Sequence, residues 1–380
     1  MALFLKAIST HVPGKDGERY GNFIKTKDIL GKMQSEKDFD CLFVLNNLGI
    51  ESVSAFKSTI DDFHGIERLR NIELYDALKV EVLKANAIAE KSSSKKPYYI
   101  GHIHIGANFH PIIAKEMEEI TESVAVAGST MILNSGCAGI LAAIKLAERL
   151  IDSNGFGDVL ITGENNMLPF AYNRRLSYAT RKNLNQWLWP AIFGEGVAAM
   201  VVGSRAKKGS WRLQLGNMQK VANEYRVKES ILDHGRYGME IRAKEVRETF
   251  EKGISSCLGS YDLNDAFKVL IHESNPKIVK NILNKFQVDL AKSFSISAFT
   301  GSLACVSGFT LLEHAFISSA IEKPSGDIIL ALIGETGNSV SAGSLRLSQS
   351  HKEDSTKYPV PAAVRDQLLK DLTARFQENF

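Results

Sequence analysis

Hydrophobic spacing along this chain switches repeatedly between two periods. Glu73 to Glu90 (ELYDALKVEVLKANAIAE) places apolar residues at helical intervals. After the polar break Ser92-Ser93-Ser94-Lys95-Lys96, Pro97 to Ala107 (PYYIGHIHIGA) reads as a strand. Ile112 to Ser123 predicts a helix and Thr130 to Asn134 a short apolar strand. Ala138 to Asp152 (AGILAAIKLAERLID) predicts a helix whose first half is nearly all apolar, so its start should be buried. Asp158 to Thr162 (DVLIT) and Gly196 to Val202 (GVAAMVV) read as strands, and Met1 to Ile8 as the first strand.

The second half repeats the plan. Ile241 to Leu258 predicts a helix, Ala266 to His272 a strand, and Pro276 to Phe286 a helix. A short strand over Ser293 to Ser297 and a helix over Val306 to Ile321 follow. Asp327 to Ile333 and Ala342 to Leu347 close it as a strand pair around the Gly334 to Ser339 turn. Alternating strands and helices with continuous apolar strands predict an α/β layered fold. Asn134 to Ile151 and Thr300 to Ile317 each run from a small-residue turn into an apolar helix. This internal similarity predicts two equivalent halves, residues 1–203 and 204–348, with the active site where they meet. Residues 349–380 form a third part. Ser348 to Thr356 is polar and linker-like, and Ala362 to Phe376 has helical periodicity, with Val364, Leu368, Leu369, Leu372 and Phe376 on one stripe.

Composition narrows the function classes. Of 380 residues, 46 are Lys or Arg and 43 Asp or Glu, a net charge of +3, which is too small for a nucleic-acid footprint. No uncharged apolar run approaches the ~20 residues of a membrane span, and the N-terminus lacks the pattern of a secretory signal. Cys41, Cys137, Cys257 and Cys305 lie far apart, with no CxxC. They read as reduced thiols of a cytoplasmic protein.

Cys137 stands in Asn134-Ser135-Gly136-Cys137-Ala138-Gly139, directly before the apolar helix. A thiol at a helix N-terminus feels the positive end of the macrodipole, which favours the thiolate, and the glycines let a carbonyl approach the backbone. A small buried hydrophobe is the competing reading. His272 ends a strand in Ile271-His272-Glu273-Ser274-Asn275-Pro276, where catalytic groups gather in α/β proteins. A histidine there exchanges protons with a thiol or polarises a thioester carbonyl. His102 and His104 share one face of a strand. Without further ligands at later strand ends they read as satisfied core histidines rather than a metal pair. Gly194-Glu195-Gly196, Gly301-Ser302 and the Gly334 turn follow no nucleotide-binding spacing.

Taken in order, these segments resemble a β-ketoacyl-ACP synthase III of the thiolase-fold condensing enzymes, from about Leu3 to Leu347. The resemblance rests on Gly65-Ile66-Glu67-Arg68, the loop around Cys137, Phe193-Gly194-Glu195-Gly196-Val197-Ala198-Ala199, His272-Glu273-Ser274-Asn275, and Ala342-Gly343-Ser344 beyond the closing turn. It implies a thiolase-like fold of two pseudo-duplicated α/β halves in αβαβα layers. It also implies a homodimeric acyltransferase with no permanently bound cofactor, taking acyl groups as CoA or phosphopantetheine thioesters from acyl-CoA or acyl carrier protein. Cys137 is then the nucleophile and His272 the catalytic histidine, with backbone N–H groups of Cys137 and Asn338 as the oxyanion hole. Residues 167–190, with Arg174, Arg175, Arg181 and Lys182, fall where such enzymes shape the acyl tunnel.

The chain departs from that pattern at Ser302, where the family carries asparagine. Serine offers one hydroxyl in place of an amide with two donors, and losing one such donor typically costs about 3 kcal/mol. Acylation of Cys137 should survive, while malonyl decarboxylation should suffer. The expectation is therefore acyl transfer, or condensation with an already activated nucleophile, in specialised-metabolite or fatty-acyl biosynthesis. A decarboxylating synthase and a non-catalytic partner subunit of a ketosynthase heterodimer are the alternatives.

Overall fold

The apolar run expected from Asp327 to Ile333 forms one strand, Ile328–Glu335, in which Ile328 to Ile333 are buried on both faces. The computed structural model describes residues 2–14, 21–32, 49–64, 72–91, 96–108, 114–166, 191–206, 210–222, 227–232, 236–241, 243–272, 275–322, 326–335 and 340–349. The strands are β1 (Leu3–His11), β2 (Gly21–Lys25), β3 (Ser52–Phe56), β4 (Tyr99–Asn108), β5 (Thr130–Asn134), β6 (Asp158–Asn166) and β7 (Gly196–Gly203). They continue with β8 (Trp211–Leu215), β9 (Gln219–Ala222), β10 (Val227–Leu232), β11 (Arg236–Ile241), β12 (Lys268–Ile271), β13 (Ile328–Glu335) and β14 (Val340–Gln349). The helices are α1 (Thr26–Lys32), α2 (Lys57–Phe63), α3 (Ile72–Lys91), α4 (Ala114–Ser123) and α5 (Gly139–Asn154). After them come α6 (Ala243–Leu258), α7 (Pro276–Lys285), α8 (Ser297–Thr300) and α9 (Ser307–Glu322).

Strand pairing carries the duplication. In the first half β4 runs parallel to β6, β6 antiparallel to β7, and β7 antiparallel to β1. In the second, β12 runs parallel to β13, β13 antiparallel to β14, and β14 antiparallel to β8. A β1–β8 pairing, Leu3 opposite Leu213, joins the two. The helices repeat in the same order, with α3, α4 and α5 around β4 and β5 matched by α6, α7 and α9 around β12.

Side-chain parity builds the layers. On β13, Ile328, Leu330 and Leu332 enter a central cluster with Ile140, Leu141 and Ile144 of α5 and Phe309, Leu312 and Phe316 of α9. Ile329, Ala331 and Ile333 face the other way, onto Phe250 and Ile254 of α6 and Val279 and Ile282 of α7. On β7, Ala198, Met200 and Val202 point to the central cluster, while Val197, Ala199 and Val201 meet Leu78 and Val82 of α3. The result is helix, sheet, helix, sheet, helix. Strands covered on both faces read as unbroken apolar runs, because neither parity needs a polar residue.

Three local readings are corrected. The strand expected at Ser293–Ser297 does not form. Asp289 caps a 3-10 turn at Leu290–Lys292, its carboxylate accepting from the Ala291 N–H at 3.0 Å, and the chain then enters α8. Strand β6 continues four residues past Thr162, because Glu164 finds backbone partners on both sides, at Gly106 and Val197. The helix expected from Ile241 begins at Ala243, since Arg236–Ile241 pairs with β10. Gly65 to Arg68, residues 167–190, Gly337 and Asn338, and the tail from residue 350 lie outside the described residues. Among the described residues no helix is long and apolar enough to cross a membrane.

Candidate active site

The first catalytic candidate is set by the entry to α5. The chain leaves β5 at Asn134, turns through Gly136 to Ala138, and begins the helix at Gly139, whose N–H donates to the Gly136 carbonyl at 2.8 Å. Gly139 is required there, since a Cβ would lie 2.6 Å from the Ile105 side chain on β4. Cys137 is a half-buried cysteine outside any disulfide, two residues before the helix. Cys257, by contrast, is buried and its thiol is pushed up to about 11 by desolvation. Cys305 is fully buried and donates to the Glu164 carbonyl at 2.9 Å, a packed thiol without access to a substrate.

His272 follows β12, its N–H donating to the Ala331 carbonyl on β13 at 2.9 Å. The ring is 2% exposed and stands 5.3 Å from the Phe250 ring. Among the described residues neither ring nitrogen makes a hydrogen bond of good geometry, although the Ile333 backbone lies close enough to favour the charged ring somewhat. Burial is the larger effect and lowers the pKa to about 4. The imidazole is therefore neutral near pH 7, with a lone pair available to take a proton.

One strand brings these two together. Ala331 holds the His272 backbone, Ile333 lies beside its ring, and Gly334 lies against the Cys137 loop. A Cβ at position 334 would stand 2.8 Å from the Cys137 nitrogen and 2.5 Å from that of Ala138. The sequence reading placed Gly334 only in a turn. Its role in the close approach needed the fold, and the visible trace was a glycine inside a β-branched run.

Ser302 sits at the equivalent helix entry of the second half. Its N–H donates to the Ile192 carbonyl at 2.7 Å and its carbonyl accepts from the Gly194 N–H at 3.0 Å. Gly194 and Gly301 allow this contact, since their Cβ atoms would lie 1.8 Å from the Thr300 carbonyl oxygen and 2.6 Å from that of Ile192. Gly301 also has φ 68°, in the left-handed region. The Ser302 hydroxyl is buried and without a partner among the described residues. Ile105 links this entry to the other. Its carbonyl lies 3.7 Å from the Cys305 sulfur and its side chain lies against Gly139. Asn275 caps α7 with its side-chain oxygen, accepting from Lys277 N–H at 2.9 Å.

Glu195, between the two glycines of the FGEG segment, is wholly buried. It accepts from Phe56 N–H at 2.7 Å and from the Thr59 hydroxyl at 3.1 Å. Burial pushes its carboxyl up to about 8, against those two bonds, which favour the carboxylate. His102 and His104 are buried, each bonded to the Thr162 hydroxyl, as satisfied core histidines.

No protein-family model and no curated protein matches the chain in sequence. Solved structures do match it in shape. A cysteine-to-serine variant of Xanthomonas campestris OleA, with bound lauric acid and lauroyl-CoA, aligns over 92% of this chain and 99% of its own, with TM-score 0.71 and 14% identity. The 3-oxoacyl-(acyl carrier protein) synthase III FabH of Pseudomonas aeruginosa aligns over 92% and 99%, with TM-score 0.67 and 12% identity. FabH of Xanthomonas oryzae aligns over 91% and 98%, with TM-score 0.66 and 14% identity. The chain has the thiolase-like fold. Within that fold, Cys137 and Ser302 occupy the corresponding entries of the two central helices, and His272 follows the strand β12 that corresponds to β4.

Proposed function

We propose that this chain is a ketosynthase III-like acyltransferase that carries an acyl group on Cys137. The observation that supports it most is the approach of Gly334 to the Cys137 loop, beside the strand that holds His272. The Cys137 thiol gives its proton to neutral His272, and the sulfur attacks the carbonyl of an acyl-CoA or acyl carrier protein thioester. The developing oxyanion is held by the Cys137 N–H and, by our reading, that of Asn338. The CoA or pantetheine thiolate leaves with the proton from the imidazole. His272 then takes a proton from the second substrate as that substrate attacks the acyl-cysteine, and returns it to the Cys137 sulfur as the carbon–sulfur bond breaks. Ser302 contributes one hydroxyl where a malonyl carbonyl would need an amide, which favours acyl transfer, or condensation with an already activated nucleophile, over malonyl decarboxylation. We place the chain in specialised-metabolite or fatty-acyl biosynthesis, in the cytoplasm, without a resident cofactor, and take residues 1–203 and 204–348 as its halves.

We further propose a homodimer. Among the described residues β5 ends the sheet with one edge open, and Ile132 on it is 57% exposed. An apolar edge strand of this kind is stabilised by pairing with a second copy.

The test is intact mass after incubation with acyl-CoA donors, for the wild type and Cys137→Ala. An adduct that vanishes in the variant is the expected result, and no Cys137-dependent adduct with any thioester donor would refute the reading. Rapid CO2 release from malonyl carrier protein would contradict the role given to Ser302.

A further inference from the structure

The face of β4 and β6 that looks toward α3 carries polar side chains where aliphatic ones would pack. His102 and His104 stand two residues apart on β4, and Thr162 and Glu164 two apart on β6. None is more than 3% exposed. The parallel register places His104 beside Thr162 and Gly106 beside Glu164. The side chains bond one step further along: His102 Nε2 meets Thr162 Oγ1 at 2.7 Å, and His104 Nε2 lies 3.5 Å from Glu164 Oε1. Thr162 Oγ1 also meets His104 Nδ1 at 2.8 Å, and His102 Nδ1 meets Thr130 Oγ1 of β5 at 3.2 Å.

One orientation runs consistently along the row. Thr130 donates to His102 Nδ1, His102 Nε2–H donates to Thr162, Thr162 donates to His104 Nδ1, and His104 Nε2 is left facing the Glu164 carboxyl at 3.5 Å. The His102 imidazole is then neutral, with its proton on Nε2. A low pKa at His102, about 3 through burial and then His104, agrees with this. Aliphatic parity alone tolerates a two-residue slip between parallel strands, whereas this diagonal ladder does not.

The row is anchored where both catalytic loops are anchored. The Glu164 carbonyl accepts the Cys305 thiol, three residues past Ser302. Next to it, the Asn165 amide donates to the Gly194 carbonyl, and the Gly194 N–H donates to Ser302. On the other side Gly106 pairs with both Glu164 and Asn134, from which the chain runs into the Cys137 loop.

We propose that the row His102–Thr162–His104–Glu164 is a positioning device that fixes the Cys137 loop and the Ser302 loop at one relative height. Thr162 and Glu164 are thus positioning residues for acyl transfer. This rests on the reading of Cys137 as the acyl carrier, so the test includes a readout that needs no acyl donor.

Thr162→Val keeps the shape and removes both bonds at the centre of the row, while Thr162→Ser keeps the hydroxyl and removes a methyl. Two rates are measured on the full chain: alkylation of Cys137 by iodoacetamide, located by peptide mass, and acylation by octanoyl-CoA as a function of its concentration. A displaced loop in Thr162→Val should slow both by about tenfold, leave the half-saturating octanoyl-CoA concentration unchanged, and be rescued by Thr162→Ser. Wild-type rates in Thr162→Val, or equal slowing in Thr162→Ser, overturn the proposal. If Thr162→Val does not fold, Glu164→Gln and Glu164→Leu make the same comparison, since only Gln keeps a polar group facing His104. Equal rates in that pair overturn it. A wild-type chain that takes no acyl group, with alkylation still dependent on the row, would refute the acyl-transfer reading and leave the positioning role standing.

Discussion

Gly334 of β13 lies directly on the backbone of Cys137, so close that a Cβ at position 334 would stand 2.8 Å from the Cys137 nitrogen. The two residues are nearly two hundred positions apart in sequence, and their contact brings the two parts of the duplicated fold together at the candidate site. Gly334→Ala should push the Cys137 loop away, because the nearest atoms are backbone and have no rotamer to yield. We expect Cys137 alkylation and acylation to fall at least about tenfold. The melting transition should lose about 1–3 kcal/mol, as overpacked sites do. Mass-resolved alkylation alongside calorimetry checks both.

His272 makes stability depend on acid. The unfolded chain binds a proton at this position below about 6.5, and the folded chain not until about 4. Between those values the unfolded state holds more protons, so stability is complete above pH 6.5 and is lost as pH falls toward 4. The loss is on the order of 3 kcal/mol for this group. His102, lowered to about 3, adds a loss of the same sign over a slightly wider window. Urea titrations from pH 4 to 7 should show the slope, and His272→Gln should reduce it.

Glu195 acts with the opposite sign. Its carboxyl stays protonated in the folded chain up to about 8, against 4.5 for the ordinary group. The folded state therefore holds more protons between those values, and this contribution to stability declines as pH rises from 4.5 through 8. Glu195→Gln removes the titration while still accepting from the Phe56 N–H. The variant should be relatively more stable at pH 8 than at pH 5 when each is compared with wild type. An unchanged difference between the two pH values would refute this.

Ser302 contributes little to stability. Its hydroxyl is buried with no partner among the described residues, so Ser302→Ala breaks no hydrogen bond among them and should change stability by less than about 1 kcal/mol. Acylation of Cys137 should persist in that variant. In Ser302→Asn the restored amide should raise CO2 release from malonyl carrier protein, measured by trapping labelled CO2.

A buried ion pair gives a control far from the chemistry. Lys6 Nζ bonds to Asp158, whose other oxygen accepts from the Tyr98 N–H at 3.3 Å. Both charged side chains are at most 7% exposed. Lys6→Met leaves the carboxylate unpaired and should cost about 3–5 kcal/mol, while the Lys6→Met/Asp158→Asn pair recovers part of that. Cys137 alkylation should be unaffected in whatever fraction remains folded.

The sequence by itself determined the layers. Strands such as Gly196–Val202, with both parities apolar, can only lie between two helical layers, and the helical runs beside them supply those layers. It also marked Cys137 and His272, because a thiol at a helix entry and a histidine at a strand end are legible as local chemistry. Elements whose stability comes from partners were not legible. The polar end of β6 at Glu164 is strand because Gly106 and Val197 flank it, and Ser293–Ile296 is not strand because the Asp289 cap turns the chain. Tertiary structure alone decided that Gly334 meets Cys137, that Gly194 and Gly301 let the Ser302 loop pair with Ile192, and that His102 and His104 join Thr162 and Glu164 in one buried row. Each is a contact between residues distant in sequence, and local propensity carries no information about which distant backbone will arrive.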